Sequence, residues 1–176
     1  MTDRQEIAAK FSLMGFVLIF VLFFSRPQGQ FHAIGLGEQV PDFTLRKDDG
    51  QLASLADFRG KILVLNFWAS WCGPCVDELP SLKQFAQRYA GKDVTVLGIS
   101  LDEDPDAYQE FLLKYEINFP NLRNPSHSVS EMYGTFKLPE TYIISRDGYL
   151  LNKIIGPTDW SSKQMLDYVD SLLAAS

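Results

Sequence analysis

A near-continuous apolar segment that leads into two closely spaced cysteines constrains the fold of this 176-residue chain most strongly. Residues 61–67 (KILVLNF) have the pattern of a central strand that is buried on both faces. The sequence WCGPC follows at 71–75, and from Gly73 to about Tyr89 apolar side chains recur every three or four residues, which predicts a helix with one buried face. The two cysteines are therefore predicted to lie at a strand-to-helix turn.

Strand and helix patterns alternate along the rest of the chain. The sequences DDG at 48–50 and RDG at 146–148 are turn signals between short strand patterns, so they predict one hairpin near the start of the domain and another near its end. This alternation predicts an α/β fold in which a central mixed β-sheet is flanked by helices. The predicted strands are 42–46, 51–53, 61–67, 94–100, 141–145 and 149–155, and the later helices are 105–115, started by the acidic residues 102–106, 126–133 and 160–173.

Composition and charge exclude several classes of protein. Hydrophobic residues make up 46% of the chain and charged residues 22%, which is typical of a globular protein and not of a disordered or collagen-like one. The net charge of -6 argues against a nucleic-acid partner, because phosphate binding requires a basic surface. Two cysteines three positions apart cannot form a disulfide framework, so they are expected to act as a chemical pair.

The N-terminal region has the pattern of an export and anchoring segment. Residues 11–24 (FSLMGFVLIFVLFF) are apolar, with Arg4 and Lys10 before them and Arg26 after them. We predict a cytoplasmic N-terminus at 1–10, a transmembrane signal anchor at 11–24, a tether at 25–37 and one domain at 38–176. A cleaved signal peptide and a buried core helix are the alternatives. The expected location is the cell membrane, in a single pass, with the domain on the extracytoplasmic (periplasmic) side.

The cysteine pair is the predicted chemical centre. A helix N-terminus stabilises a thiolate, because unpaired N–H groups and the helix dipole favour negative charge there, so Cys72 is the expected nucleophile. Cys75, one turn later and expected to be deeper, is the predicted resolving residue. Pro74 fits the first turn of a helix, and Gly73 would let a partner's backbone approach closely.

Two other uses of the cysteine pair are alternatives. A zinc site would need further ligands, and the chain offers only His32 and His127 with no second CxxC. An inert structural disulfide would close a very short loop and would stabilise the fold little. We therefore expect no metal and no cofactor other than a redox-active disulfide between Cys72 and Cys75.

Three ordered motifs resemble a known family. They are NFWASWCGPC at 66–75 with ELP at 78–80, the opening PDF at 41–43, and LPETY at 138–142 followed by RDG. Together they resemble membrane-anchored proteins of the thioredoxin fold, the group of TlpA, ResA and CcmG (DsbE), with an AhpC/TSA-type domain, over residues 38–176. The resemblance implies a thioredoxin-like fold with an N-terminal hairpin and a helix–strand insertion within 101–138.

The resemblance also implies roles for residues around the cysteines. Pro139 would be cis and would pack beside the disulfide, and Leu138 would offer backbone groups to a substrate strand. By its spacing, three residues after Cys75, Glu78 can also lie beneath the pair, where burial would raise its pKa and fit it to act as a general base toward Cys75. A solvated helix glutamate and a first-turn acid favoured by the helix dipole are the alternatives. Glu140 would add negative charge near Cys72, or would be a simple strand-surface residue.

Trp71 is expected to contact partners from a partly exposed position, with a place in the core as the alternative. Pro80 is expected to kink the cysteine-bearing helix.

The preferred function is that of an extracytoplasmic thiol-disulfide oxidoreductase that reduces protein disulfides. A membrane thiol carrier would be its electron donor, and apocytochrome c in cytochrome c maturation is one candidate substrate, although Gly73-Pro74 is the dipeptide of generic thioredoxins. A thiol peroxidase is an alternative, but residues 65–71 lack the proline that peroxiredoxins place before their cysteine. A copper- or partner-binding module is another, but the usual CxxxC spacing and a matching histidine are missing.

Overall fold

The computed structural model describes residues 34–47 and 50–175. The predicted cytoplasmic N-terminus, the membrane anchor and the tether up to residue 33 lie outside the described residues. Across 34–47 and 50–175, no helix combines the length and the apolar character needed to span a bilayer. The boundary of the domain near residue 38 therefore stays a prediction.

Most of the elements follow one another in the order that the sequence patterns predict. The strands are β1 (Thr44–Arg46), β2 (Leu52–Ser54), β3 (Ile62–Trp68), β4 (Val94–Ser100), β5 (Asn121–Arg123), β6 (Glu140–Ile144) and β7 (Leu150–Ile155). The helices are α1 (Gly73–Arg88), α2 (Pro105–Lys114), α3 (Ser128–Tyr133) and α4 (Lys163–Ala174), and a 3-10 turn spans Leu55–Phe58.

The main sheet has five strands in the order β5-β4-β3-β6-β7. Strands β3, β4 and β5 are parallel to one another, whereas β6 and β7 run antiparallel. β1 and β2 form a separate antiparallel hairpin. The predicted mixed sheet, N-terminal hairpin and inserted helix and strand (α2 and β5) are all confirmed.

β3 is apolar along its whole length because both of its faces are covered. Leu63, Leu65 and Phe67 point into one core, which also contains residues of the N-terminal hairpin and of α3. Ile62 and Val64 point into a second core, which is built with α1 and α4. Alternate residues of a strand face opposite sides of the sheet, so two buried faces require an almost unbroken apolar run.

Two features differ from the predicted elements. The last helix begins at Lys163 and not at 160, because Ser162 is its N-cap and its Oγ accepts a hydrogen bond from the Met165 N–H at 3.3 Å. Trp160 precedes this helix and is fully buried against Phe85 of α1. The three residues of β5 form too short a pattern to be located from the sequence.

Candidate active site

Cys72 and Cys75 form a disulfide at the N-terminus of α1. Cys72 is the N-cap residue, and its Sγ accepts a hydrogen bond from the Cys75 N–H at 3.2 Å. Pro74 lies in the first turn, where its missing N–H leaves no gap in the helix. The arrangement directs backbone N–H groups at Cys72, which is the electrostatic condition for a stabilised thiolate once the disulfide is reduced.

The loop before Cys72 is held by a buried carboxylate. Asp102 is 2% exposed and follows β4; it accepts hydrogen bonds from the Ser70 N–H at 3.0 Å, from the Ser70 hydroxyl at 2.7 Å and from the Ser100 hydroxyl at 2.6 Å. The sequence analysis assigned the acidic residues 102–106 to the start of the next helix, and the N-cap of α2 is Asp104 of that run. Asp102 has a further role that the acidic run did not reveal, because it anchors the turn that presents the cysteine motif.

An open groove of about 610 Å³ runs beside Cys72. Trp71, Gly73 and Pro74 line one part of it, and Leu138 lines another. The exposed fraction of Trp71 is 70%, whereas Trp68 is buried. Four of the residues predicted to bind substrate therefore meet at one surface, together with Cys72. Further lining residues that the sequence did not reveal come from α3 and from the segment after it: His127, Ser130, Glu131, Thr135, Phe136 and Lys137.

The peptide bond between Leu138 and Pro139 is cis, as predicted. Pro139 immediately precedes β6, whose first residue, Glu140, pairs with Phe67 of β3. The end of β3 leads on to the cysteine motif, so this register brings the Leu138–Pro139 bond to the same end of the sheet. Leu138 and Cys72 both line the groove there.

Glu78 is buried in α1, with only 4% of the residue exposed. Its Oε1 accepts a hydrogen bond from Asn66 Nδ2 at 2.9 Å, and its Oε2 accepts from the Thr158 N–H at 3.2 Å and from Trp160 Nε1 at 3.4 Å. Burial raises the pKa of Glu78 from 4.5 to about 6, and these three hydrogen bonds oppose the rise. The predicted burial of Glu78 is confirmed.

Cys75 and Glu78 line the same internal cavity, which has a volume of about 10 Å³ and so is about the size of one water molecule. The two cysteines are equally buried in the disulfide, at 5% for Cys72 and 4% for Cys75, so Cys75 is not the deeper residue by exposure. Their surroundings differ instead, because Cys72 faces the open groove and Cys75 faces the cavity with Glu78.

Asn66 is a site residue that the sequence patterns did not predict, although its polar side chain within an apolar strand pattern indicates one. It is a polar residue in the buried strand β3, and such a residue needs hydrogen-bond partners. Its Nδ2 donates to Glu78 and also to Thr141 Oγ1 at 2.9 Å, so Asn66 ties the carboxyl to β6.

Glu140 does not lie on the strand surface, and its negative charge is paired. It is fully buried rather than on the strand surface, and its carboxylate pairs with Lys153 Nζ at 2.6 Å. It also accepts a hydrogen bond from the Tyr142 hydroxyl at 2.7 Å. A buried carboxylate that is satisfied by these partners cannot contact a substrate through its side chain, so the predicted substrate-binding role is corrected to a structural one.

Within the part of the chain that the structure describes, no three His, Cys, Asp or Glu side chains are grouped so that they could hold a metal ion.

A disulfide at the N-terminus of the helix that follows the central strand, with a cis-proline at the same end of the sheet, defines a class: the molecule is a thioredoxin-fold protein with a redox-active cysteine pair. The AhpC/TSA family model matches residues 36–152, and the chain belongs to this family. The resemblance to the TlpA, ResA and CcmG group is confirmed by individual relatives, and the protein is a thiol-disulfide oxidoreductase.

Three relatives illustrate the match. The thiol-disulfide oxidoreductase ResA of Geobacillus thermodenitrificans is 31% identical over 138 residues, which cover 78% of this chain and 79% of that protein. The thioredoxin-like protein YneN of Bacillus subtilis is 34% identical over 134 residues, covering 74% and 78%. A Chlorobium tepidum crystal structure described as the thiol:disulfide interchange protein DsbE is 28% identical, covers 80% of this chain and 99% of its own, and superposes with a TM-score of 0.75.

Proposed function

We propose that this protein reduces disulfides of other proteins on the extracytoplasmic side of the membrane, with Cys72 as the attacking residue, Cys75 as the resolving residue and Glu78 as the general base. The different surroundings of the two cysteines are the main support. Cys72 faces an open groove of about 610 Å³, and Cys75 faces a small cavity that is also lined by Glu78, whose carboxyl has a pKa of about 6.

The proposed reaction has two exchange steps. The Cys72 thiolate attacks one sulfur of the substrate disulfide, forming a mixed disulfide and releasing the first substrate thiolate. The Cys75 thiol then gives its proton to Glu78 and attacks the Cys72 sulfur, which releases the second substrate sulfur as a thiolate and leaves the Cys72–Cys75 disulfide. The substrate gains two electrons, and these must be restored to the pair by a thiol donor.

Glu78 also supports the reducing direction. A CxxC protein is a strong oxidant when its reduced form is stabilised, because a stable thiolate holds the electrons. A buried carboxylate next to Cys75 acts against that stabilisation, because a second negative charge in a buried site is unfavourable. The pair is therefore proposed to give up electrons readily.

The location and the partners are proposed from the sequence. The apolar segment 11–24 with its flanking basic residues would anchor the chain in the cell membrane and place the domain outside the cytoplasm. An extracytoplasmic reductant needs electrons from across the membrane, so a membrane thiol carrier is the proposed donor. Apocytochrome c is the proposed candidate substrate. Trp71, Gly73, Pro74 and the backbone of Leu138 would bind the substrate polypeptide beside Cys72.

The first test is the reduction potential of the full chain in detergent, measured by equilibration with glutathione or dithiothreitol. A value near or below that of thioredoxin, about -270 mV, is expected for a reductant. A value near about -120 mV would identify a disulfide donor instead and would remove the proposed role as a reductant.

The second test separates the roles of the cysteines. C75S should accumulate a mixed disulfide with a substrate protein such as insulin, visible by mass on a non-reducing gel, whereas C72S should form none. Mixed disulfides on C72S but not on C75S would reverse the assignment. Protease accessibility of the domain in intact spheroplasts tests the location, and protection from the protease would contradict it.

A further inference from the structure

The segment 134–138 forms one wall of the groove next to Cys72 and connects α3 to the cis peptide bond. Its residues Thr135, Phe136, Lys137 and Leu138 line the groove, and the exposed fraction of Phe136 is 76%. The segment contains no helical or strand residue, so its shape depends on side-chain contacts from neighbouring elements.

A buried carboxylate, Glu140 of β6, and a partly buried lysine, Lys153 of β7, hold this segment. The Phe136 N–H donates to Glu140 Oε2 at 3.3 Å, and Lys153 Nζ donates to the Gly134 carbonyl at 3.4 Å. The Lys153 ammonium also lies 5.7 Å from the centroid of the Phe136 ring, a cation–π distance. The backbone at the start and in the middle of the wall, and the exposed Phe136 ring, are therefore tied to one ion pair.

Tyr142 completes the connection. Its hydroxyl donates to Glu140 Oε1 at 2.7 Å and lies 3.1 Å from Thr135 Oγ1, and its ring lies 5.0 Å from Lys153 Nζ. Tyr142 and Lys153 are register partners in the antiparallel β6–β7 pair, so the main sheet fixes the position of the charges. The Glu140 carboxylate thus has three partners: Lys153, Tyr142 and the Phe136 N–H.

We propose that the Glu140–Lys153 pair is a positioning device that sets the conformation of the 134–138 segment and thereby the affinity of the groove for a substrate polypeptide. Lys153 is the new positioning residue in this assignment, which rests on the proposed reduction of protein disulfides. Because the Glu140 charge is neutralised by a cation at 2.6 Å, the pair acts through the shape of the wall and not through the charge at Cys72.

The test uses the full chain in detergent, with insulin as the protein disulfide and dithiothreitol as the reductant. K153M should raise the KM for insulin about tenfold with little change in kcat, because only binding to the groove depends on the wall. The equilibrium constant between the Cys72–Cys75 pair of K153M and glutathione should be the same as in the wild type. K163M is the matched control: it removes a lysine with an exposed side chain that pairs with Asp167 on α4, and it should leave both quantities unchanged.

A double variant separates positioning from folding. Removing one partner of a buried pair leaves an uncompensated charge, whereas removing both is tolerated far better. E140Q/K153M should therefore regain stability to urea relative to K153M but keep the raised KM, because Gly134 and the Phe136 ring still lack the ammonium. A KM that returns to the wild-type value together with stability would overturn the proposal.

Two further outcomes are distinct. A tenfold change in the glutathione equilibrium of K153M, about 30 mV for a two-electron couple, with an unchanged KM would show that the charges act on the cysteines and would also overturn the proposal. If the wild-type chain itself does not reduce insulin, the proposed function is refuted, and the positioning role that rests on it is refuted with it. If the wild-type chain is active and K153M has the same KM, only the positioning role fails.

Discussion

Replacing Glu78 by glutamine should change how the stability of the oxidised protein depends on pH. The folded-state pKa of about 6 lies above the ordinary value of 4.5, so between these values the folded protein holds a proton that the unfolded chain has released. The free energy of unfolding therefore falls as pH rises through this window. At 1.36 kcal/mol per pKa unit, the loss is about 2 kcal/mol, complete above roughly pH 7.

E78Q lacks this titration, but the substitution also lowers the free energy of unfolding in another way. Glu78 accepts hydrogen bonds from Asn66, Thr158 and Trp160, and a glutamine has one acceptor oxygen, so its amide group would face a donor. That mismatch should cost about 1–3 kcal/mol at every pH. The absolute stability of E78Q is thus less informative than the difference between the two proteins, which should shift in favour of E78Q by about 2 kcal/mol from pH 4 to pH 8.

Urea unfolding at several pH values between 4 and 8 measures this difference. With a slope of about 1–3 kcal/mol per molar urea, the midpoint of E78Q should move relative to the wild type by about 1 M across the series. E110Q, which changes an exposed glutamate on α2, is the matched control and should track the wild type. Parallel profiles for wild type and E78Q would refute the reasoning, because they would mean that Glu78 has the same pKa in the folded and unfolded chain.

The remaining predictions concern packing beside the site and the exposed face of the groove. G98A should destabilise the fold by about 1–3 kcal/mol in urea unfolding, because the new Cβ would overlap the Asn121 side chain that accepts the Trp68 indole hydrogen bond; wild-type stability would mean that Asn121 can move aside at no cost. W71A should leave stability within about 0.5 kcal/mol, since the side chain is largely exposed, but should raise the KM for insulin. An unchanged KM would remove Trp71 from the substrate-binding surface.

The elements around the site were predictable because their signals are local. Continuous burial of β3, the apolar period of α1 and the RDG turn all lie within short stretches of sequence, and β4 spans the predicted residues 94–100. The cis bond before Pro139 was expected only from the family motif, because a proline by itself rarely adopts that isomer in a folded protein. The start of α4 was misplaced because Trp160 fits an apolar pattern equally well as a buried residue before a helix.

By itself, the sequence determined the class of chemistry: a cysteine pair at the start of a helix that follows a buried strand, with a carboxyl two turns into that helix. Only the tertiary structure decided what surrounds those groups. Glu78 receives hydrogen bonds from residues 80 and 82 positions later in the chain, Asp102 holds a loop 32 positions earlier, and Glu140 is neutralised by Lys153. Periodicity records which face of an element is buried, but it cannot record which distant polar groups meet there, and those groups set the pKa and the shape of the groove.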